Sequence, residues 1–582
     1  MNNLTKEEEA GLAVLENLTS NVKQIQDEVL KEILTCDANT EYLRSFLHGS
    51  SDKDLFKKNV PIGTYEDFKP YIERVANGES SEIISGRPIT GFALTSGTSG
   101  GKQKLIPLNN KYVENARFLS DIRYLVLSKH IEGHNKGKGL HLLFLKPASK
   151  TPSGLPASYA TTHLMKSDYF VKNPPSYWDT SSTSPSEIKF CHDTKQSLYC
   201  HLLCGLVMRD EVTRVSSGFA SVLVQGITFL EKFWKEMCSN IRSGQLSDWI
   251  TNLSCRDSVS KVLGGPNPQL AVTIEDICNQ KSWKCIIPQL WPRTKFIECI
   301  FTGQMAQHIP LLEFYGNDLP LVSRNYMSSE AFFGVNLNPL CKPQDVSYTF
   351  MPNMSYFEFI PVGEGDDTIV DLVNVKLGRY YELIVTNYAG LHRYRVGDVL
   401  QVTGFYNSAP QFKFIRRQNV VLSVYLEATT EEDLLNAVTN AAQLLKSSDI
   451  MLKDFTCYPH ISTVPGHYVL YWELKGNIND DINELIETNV LMECCSVVEE
   501  SLDALYRKFR SKDESIGALE IRVVQQGTFD SLMEYFIAQG ASLGQYKTPR
   551  CIKSSKALEV LENRVMARFF SDKLPHVDTT LC

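Results

Sequence analysis

No stretch of this chain is apolar for long enough to cross a bilayer, which takes about 20 residues. The opening Met1-Asn2-Asn3-Leu4-Thr5-Lys6-Glu7-Glu8-Glu9 has neither a basic start nor an apolar run, so it does not read as a signal peptide. The sequons at Asn3, Asn17, Asn252 and Asn353 then lack a glycosylation context. There is no CxxC pair and no histidine cluster at ligand spacing, and the 15 cysteines are odd in number and scattered. That argues against a disulfide framework and against a zinc site. Reduced thiols in a cytoplasmic compartment fit better, and the adjacent Cys494 and Cys495, in a helical pattern, read as core packing. Basic excess is also missing. A net charge of −8 excludes nucleic-acid binding by bulk electrostatics. No internal repeat and no low-complexity tract is present.

What is present fits a globular protein of more than one domain. Apolar residues make up 43% and charged residues 22%, the proportions of a chain that buries an ordinary core. Its 582 residues exceed what one core usually serves.

The most distinctive stretch is Thr95-Ser96-Gly97-Thr98-Ser99-Gly100-Gly101-Lys102, which reads as a loop leaving the short apolar strand at 89–94. Glycines let backbone N–H groups turn toward a ligand, and hydroxyls and a lysine add donors, so the stretch suits phosphate oxygens. It is not a Walker A loop. That pattern needs four residues between its glycines and Ser or Thr after its lysine, whereas three separate Gly97 from Gly101 and Gln103 follows Lys102. A serine nucleophile elbow remains open, because Gly97-Thr98-Ser99-Gly100-Gly101 matches G-x-S-x-G. So do the Ser/Thr/Gly-rich phosphate loop of adenylate-forming enzymes and a merely flexible loop.

Leu15, Leu18, Val22, Ile25, Val29 and Ile33 recur at three- and four-residue steps and predict one helix of about five turns. Another helix is expected at 114–130, where Arg123 could reach a carboxylate bidentately or simply be ion-paired. Strands are expected at 140–145, 294–301 and 319–323, apolar helices at 202–212 and 219–238, and an irregular crossing over 146–200. Residues 356–424 are strand-rich and read as a small antiparallel or barrel-like element. Beyond about residue 430 helices and strands alternate, as in a small α/β domain. The fold class expected is α/β (mixed α+β), with a large domain over 1–425 and a small one over 426–582.

Two further motifs end in carboxylates: Tyr326-Met327-Ser328-Ser329-Glu330 and Tyr394-Arg395-Val396-Gly397-Asp398, the second placed at a strand-to-strand turn. A nucleotide site needs a phosphate loop, a carboxylate for Mg²⁺, another that accepts from ribose hydroxyls, and an aromatic beside the base, for which Tyr326 is placed. Singly, Glu330 could be a helix N-terminal carboxylate and Asp398 a turn aspartate. In this order they are far more specific.

Together the three motifs resemble those of the Gretchen Hagen three family of plant acyl-acid amido synthetases, a branch of the adenylate-forming superfamily whose motifs have the forms SSGTSGG(K/Q), YGSSE and Y-R-x-G-D. The resemblance extends through Gly264-Gly265-Pro266, the stretch Phe350-Met351-Pro352-Asn353-Met354-Ser355-Tyr356 and Gln545-Tyr546-Lys547-Thr548-Pro549-Arg550, and so covers essentially the whole chain. It is nearest to the branch acting on benzoate-like and chorismate-type acids. It implies ATP and Mg²⁺ as cofactors, an acyl acid and an amino acid as small-molecule partners, and a monomer without nucleic-acid or membrane partners. The implied reaction adenylates the acyl carboxylate, after which the small domain swings and an amine displaces AMP. By position it implies phosphate contacts from Ser96, Thr98 and Ser99, adenine contacts from Asn325 and Tyr326, and Mg²⁺ on Glu330. It further implies ribose on Asp398, a hinge role for Arg417, a catalytic lysine in Lys547 and an acyl-binding arginine in Arg123.

The chain departs from the family mildly in Thr95 for serine and in the bulky Ala331-Phe332-Phe333 after Glu330, and more consequentially at two places. Met327 replaces a glycine beside the adenine, and Glu427-Ala428-Thr429 stands where Asp-Lys-Thr is usual, so a cation is lost. These departures keep a second reading open, a degenerate member that binds nucleotide or acyl acid without turnover. A serine hydrolase using Ser99 is the third; it has no His-Gly-Gly-Gly oxyanion motif and gives Glu330 and Asp398 no role.

Overall fold

The computed structural model of the chain describes residues 5–99, 102–172, 182–364, 368–417, 420–425, 427, 429–448, 450–476, 488–512 and 514–576. Its organising element is a parallel sheet of strands Lys138–Leu142, Val212–Phe219, Phe296–Ile300 and Leu321–Ser323, in that spatial order. Parallel neighbours need crossovers. Helices Thr194–Val207, Ala220–Ser243 and Ile309–Gly316 supply them, each presenting buried apolar side chains to the main core.

An antiparallel sheet of eight described strands packs beside it, in the order Val370–Asp371, Tyr356–Pro361, Tyr380–Thr386, Tyr394–Tyr406, Ala409–Arg417, Tyr348–Phe350, Phe332–Val335 and Tyr326–Met327. Aromatic side chains fill its interior, with Phe350 and Phe412 ring centroids 4.5 Å apart and Phe359 stacked on Phe412 at 4.9 Å. A smaller sheet pairs Gly91–Ser99 with Lys102–Leu108, and Pro156–Ser158 lies alongside in parallel. The C-terminal part has a sheet and core of its own. Strands Ile450–His460, His467–Gly476, Glu520–Val524 and Val565–Phe570 are adjacent in that order. Leu470 and Trp472 pack with helices Glu431–Ala442 and Thr488–Ser501, and Val469 and Tyr471 with Thr528–Ala538 and Ser555–Glu562.

Several local expectations are corrected. The N-terminal stripe belongs to two helices, Lys6–Ser20 and Val22–Asp37, broken at Asn21, whose φ of −111° and ψ of 34° leave the helical region. The stripe continues because both helices lie on one core. The helix expected at 202–212 ends at Val207, and Val212–Phe219 is a strand whose buried Arg214 and Ser216 disguise its pattern. Within 146–200, taken as irregular, the described residues form helices Ala160–Lys166, Asp168–Lys172 and Ser186–Lys189 and part of the crossover helix Thr194–Val207. Asp398 lies inside the strand Tyr394–Tyr406, not at a turn. Gly397, at φ 82°, takes up a register shift there that a side chain would strain.

Candidate active site

The glycine- and hydroxyl-rich stretch is the end of a hairpin. Leu94 pairs with Leu105 and Thr98 with Gln103, so four steps on the first strand oppose two on the second. Such a bulge releases backbone groups from the ladder and re-aims them, which a phosphate cradle requires. Ser96, Thr98 and Ser99 lie on this strand; their side chains, like Gly100 and Gly101 entirely, fall outside the described residues.

The other two motifs meet in space. The Tyr326 hydroxyl donates to Asp398 Oδ2 at 2.7 Å, and Asp398 is only 2% exposed. Asp398 pairs across the ladder with Arg417, which ties the hinge position to the ribose candidate through the backbone; the Arg417 side chain is outside the described residues. The Tyr326 ring lies 4.7 Å from Phe333 and 5.5 Å from Tyr348, whose hydroxyl is 2.6 Å from Ser323 Oγ at the end of the parallel sheet. The motif residues therefore sit outside the carboxyl ends of parallel strands, where open α/β sheets bind ligands. Beside Tyr326, the Asn325 side-chain oxygen is buried with no hydrogen-bond partner. A buried acceptor left alone costs about 1–3 kcal/mol, and the exocyclic amine of adenine is a donor that would satisfy it. Met327 pairs with Phe332 in a two-residue strand and packs half-buried on the core.

Glu330 lies in a bend closed by Asn387, whose amide donates to the Glu330 carbonyl at 2.8 Å. Its carboxylate lies near Tyr112, a buried tyrosine at the start of helix Asn110–His130. Burial first, then Glu330, pushes the Tyr112 phenol upward. Among the described residues no three His, Cys, Asp or Glu side chains gather to hold a metal. Mg²⁺ commonly takes one or two protein carboxylates and completes its shell with water and phosphate oxygens, so a single Glu330 fits that ion.

Arg123, on the same helix, is ion-paired with Glu298 of the central strand, and both are nearly buried. Its surroundings are cationic. Burial, then Arg214, Arg324, Lys189 and Arg123, hold His141 well below its ordinary value, so that ring is neutral. Lys547 comes to the edge of the parallel sheet from the C-terminal part, with Nζ 4.8 Å from the Phe219 ring centroid. Ser221 Oγ donates to the Tyr546 carbonyl at 3.3 Å, and Tyr159 Oη and Lys146 Nζ donate to the Gly540 carbonyl at 3.3 and 3.2 Å.

Sequence reasoning missed the residues that hold these groups. Asp454 accepts from Thr548 at 2.7 Å, lies 3.3 Å from Arg550, and accepts from Gln307 of the large core at 2.8 Å. Burial opposes its charge, yet Arg550, Thr548 and the Phe455 amide outweigh that and hold its carboxyl below the usual range. Glu298 could have been found. It is the one charged residue in Phe296-Ile297-Glu298-Cys299-Ile300, and a charge in a fully buried strand needs a partner. Glu427 is buried and accepts from the Val424 amide at 2.6 Å and Tyr468 at 2.8 Å; Ala428 lies outside the described residues. No helix among the described residues is long and apolar enough to cross a membrane.

Comparison with known proteins identifies the family of the chain. Models of the GH3 family N-terminal, central and C-terminal domains match residues 11–321, 348–417 and 432–556. The chain is 61% identical over 561 residues to the 4-substituted benzoates-glutamate ligase GH3.12 of Arabidopsis thaliana, covering 96% of this chain and 97% of that one. It is 50% identical over 592 residues to the indole-3-acetic acid-amido synthetase GH3.17 of the same plant, covering 97% of each. The solved structure of the GH3.15 acyl acid amido synthetase in complex with 2,4-DB superposes with a TM-score of 0.93 at 52% identity, covering 98% of both chains. The chain belongs to the GH3 family, the Gretchen Hagen three family that its motifs resemble.

Proposed function

We propose that this chain is an ATP-dependent acyl-acid amido synthetase, a ligase that forms an amide between a small acyl acid and an amino acid. The observation that carries the reading is the constellation at the carboxyl end of the parallel sheet: the Tyr326–Asp398 hydrogen bond, with the partnerless Asn325 side-chain oxygen beside it. One residue group recognises adenine and ribose, and the bulged hairpin faces the phosphates.

In the first half-reaction an acyl carboxylate oxygen attacks the α-phosphorus of ATP and pyrophosphate leaves. Arg123 draws the carboxylate, supported by the cationic surroundings that keep His141 neutral. Ser96, Thr98 and Ser99 hold phosphate oxygens, and Lys547 places a cation where negative charge builds on the phosphates. Mg²⁺, bound through Glu330, would neutralise further phosphate charge. In the second half-reaction the small domain, 426–582, swings about Arg417, and an amino-acid amine attacks the acyl carbon and releases AMP. The swing lets one site serve two chemistries and excludes water from the mixed anhydride. The relatives' names direct the substrate choice to benzoate-like acids first, then indole acids, with glutamate as the first acceptor to try; chorismate-type acids follow from the motif resemblance alone. The compartment we assign is the cytoplasm, where the free thiols stay reduced.

The test is acyl-acid-dependent pyrophosphate release from ATP across benzoates, indole acids, jasmonate and chorismate, with and without amino acids. Release with at least one acid, followed by amide formation, is expected. ATP binding without release for any acid would leave the degenerate reading. Ester hydrolysis without ATP, lost in Ser99→Ala, would favour the hydrolase.

A further inference from the structure

Two cysteines far apart in sequence are held side by side next to the segment that carries Lys547. Strand Ile450–His460 brings Cys457, and the extended run after Pro549 brings Cys551. The two residues form a parallel bridge. The Cys457 amide donates to the Arg550 carbonyl at 2.8 Å, and the Ile552 amide donates to the Cys457 carbonyl at 2.9 Å. Bridge partners in adjacent strands lie about 4.8 Å apart and project their side chains to the same face. That separation is inside the roughly 4.4–6.8 Å that a disulfide spans between Cα atoms. Both side chains pack on the same C-terminal core cluster, Cys457 fully buried and Cys551 half-buried at its edge.

We propose that Cys457 and Cys551 are an oxidation site that takes a hydroperoxide as its substrate and closes a reversible disulfide beside Lys547. The link to catalysis rests on the role given above to Lys547; the chemistry of the thiol pair does not. Cys551 is the residue attacked first. Its thiol is held below the ordinary value by the hydrogen bond from Cys457 and by Lys553, against burial, whereas burial raises Cys457. A lowered, partly exposed thiol is the reactive kind and a buried one the resolving kind. The Cys551 thiolate attacks one oxygen of hydrogen peroxide, the O–O bond breaks, and sulfenic acid and hydroxide form. The Cys457 sulfur then attacks the Cys551 sulfur. The S–O bond breaks, and the oxygen leaves as water with the Cys457 proton. The sum is two thiols and one peroxide giving one disulfide and two waters.

A disulfide would be felt at Lys547. Two thiols in contact approach to about 2.05 Å when bonded, and Cys551 is four residues from Lys547 on a run fixed to the same strand by Thr548 and Arg550 on Asp454. A displacement of about 1 Å at a catalytic group can cost 10²-fold. The other close pair, Cys191 and Cys255, is buried on both sides in the main core and offers peroxide no exposed sulfur.

The experiment treats the full-length protein with hydrogen peroxide, blocks remaining thiols, and digests it without reductant for mass spectrometry. Pyrophosphate release is followed in parallel before and after dithiothreitol. A cross-linked peptide pair containing Cys457 and Cys551 is expected. It should be absent from Cys551→Ser and Cys551→Ala, which keep untreated activity. Release should fall about tenfold or more on oxidation and recover on reduction. Cys551 oxidised without a link to Cys457, or a Cys191–Cys255 link in its place, would overturn the site. A link that leaves pyrophosphate release unchanged would overturn the coupling to Lys547. Because the link is read by mass, a chain inactive towards every acid still tests the site and separates its failure from failure of the ligase reading.

Discussion

The Tyr326 hydroxyl donates to Asp398 Oδ2 at 2.7 Å, joining two motif residues 72 positions apart. Tyr326 thereby does more than the base contact proposed for it would require: it orients the carboxylate assigned to the ribose. A hydrogen bond to a carboxylate contributes about 1.5–3 kcal/mol. Tyr326→Phe is expected to raise the KM for ATP about tenfold, with the acyl-acid KM unchanged, in initial rates of pyrophosphate release. An unchanged ATP KM would remove Tyr326 from the nucleotide site.

The second prediction concerns how Lys547 is held. Lys547→Ala should cut pyrophosphate release about 10²-fold, the effect of removing one preorganised charge-stabilising donor. It should spare aminolysis of preformed acyl-AMP, since that step follows pyrophosphate departure. Gln307→Ala removes the 2.8 Å bond that ties Asp454 to the large core, together with a 3.2 Å contact to His308 Nε2. A hydrogen bond to a carboxylate is worth about 1.5–3 kcal/mol, and only part of that bears on Lys547, so the variant should lower pyrophosphate release several-fold and leave aminolysis intact. Equal losses in both half-reactions for either variant would contradict the assignment.

Much of this arrangement was legible in the sequence because motif residues report on a ligand, and ligand chemistry restricts residue type at fixed positions. Asp398 and Glu330 could be named without knowing their neighbours. Positioning residues report on the fold, and apart from Glu298, a lone charge in an apolar strand, they were not legible. Gln307 and Asp454 are 147 residues apart, and nothing local in either stretch points to the other. Secondary structure failed where buried polar side chains broke the expected pattern, as Arg214 and Ser216 do in Val212–Phe219. It also failed where the hairpin hid under loop composition, since the glycine and hydroxyl residues of Thr95–Ser99 belong to a bulged strand.

The structural role of Arg123, as the partner of Glu298, can be separated from the acyl-binding role proposed for it. Its partner Glu298 is buried on the central strand. Removing the arginine alone leaves an uncompensated buried charge, at about 3–5 kcal/mol. Arg123→Leu is therefore expected to lower the melting temperature and raise the acyl-acid KM at least tenfold. Adding Glu298→Gln should restore most of the stability and none of the acyl-acid affinity. Recovery of both in the double variant would make Arg123 a purely structural residue.

The last prediction rests on the fully buried pair Asp37 and His392, 3.5 Å apart. Burial raises Asp37 to about 7, against the Gly86 amide, Arg87 and the Cys36 thiol, and burial lowers His392 to about 3; the Tyr42 ring stacks on His392 at 5.8 Å. Between about pH 4 and 6.5 the folded pair holds one proton. The unfolded chain also holds one, on the histidine, since the ordinary values are 3.8 and 6.5. The wild-type pair thus adds almost no pH dependence in that window. Asp37→Asn leaves a buried neutral histidine whose unfolded form binds a proton below 6.5, so stability should rise with pH from about 3 to 6.5. His392→Gln leaves a protonated Asp37 whose unfolded form has lost its proton above 3.8, so stability should fall as pH rises from about 4 to 7. Each slope amounts to a few kcal/mol across its window at about 1.36 kcal/mol per pKa unit. Urea midpoints at pH 4.5, 5.5 and 6.5 should therefore move in opposite directions for the two variants, and parallel movement would show that the two groups do not compensate each other.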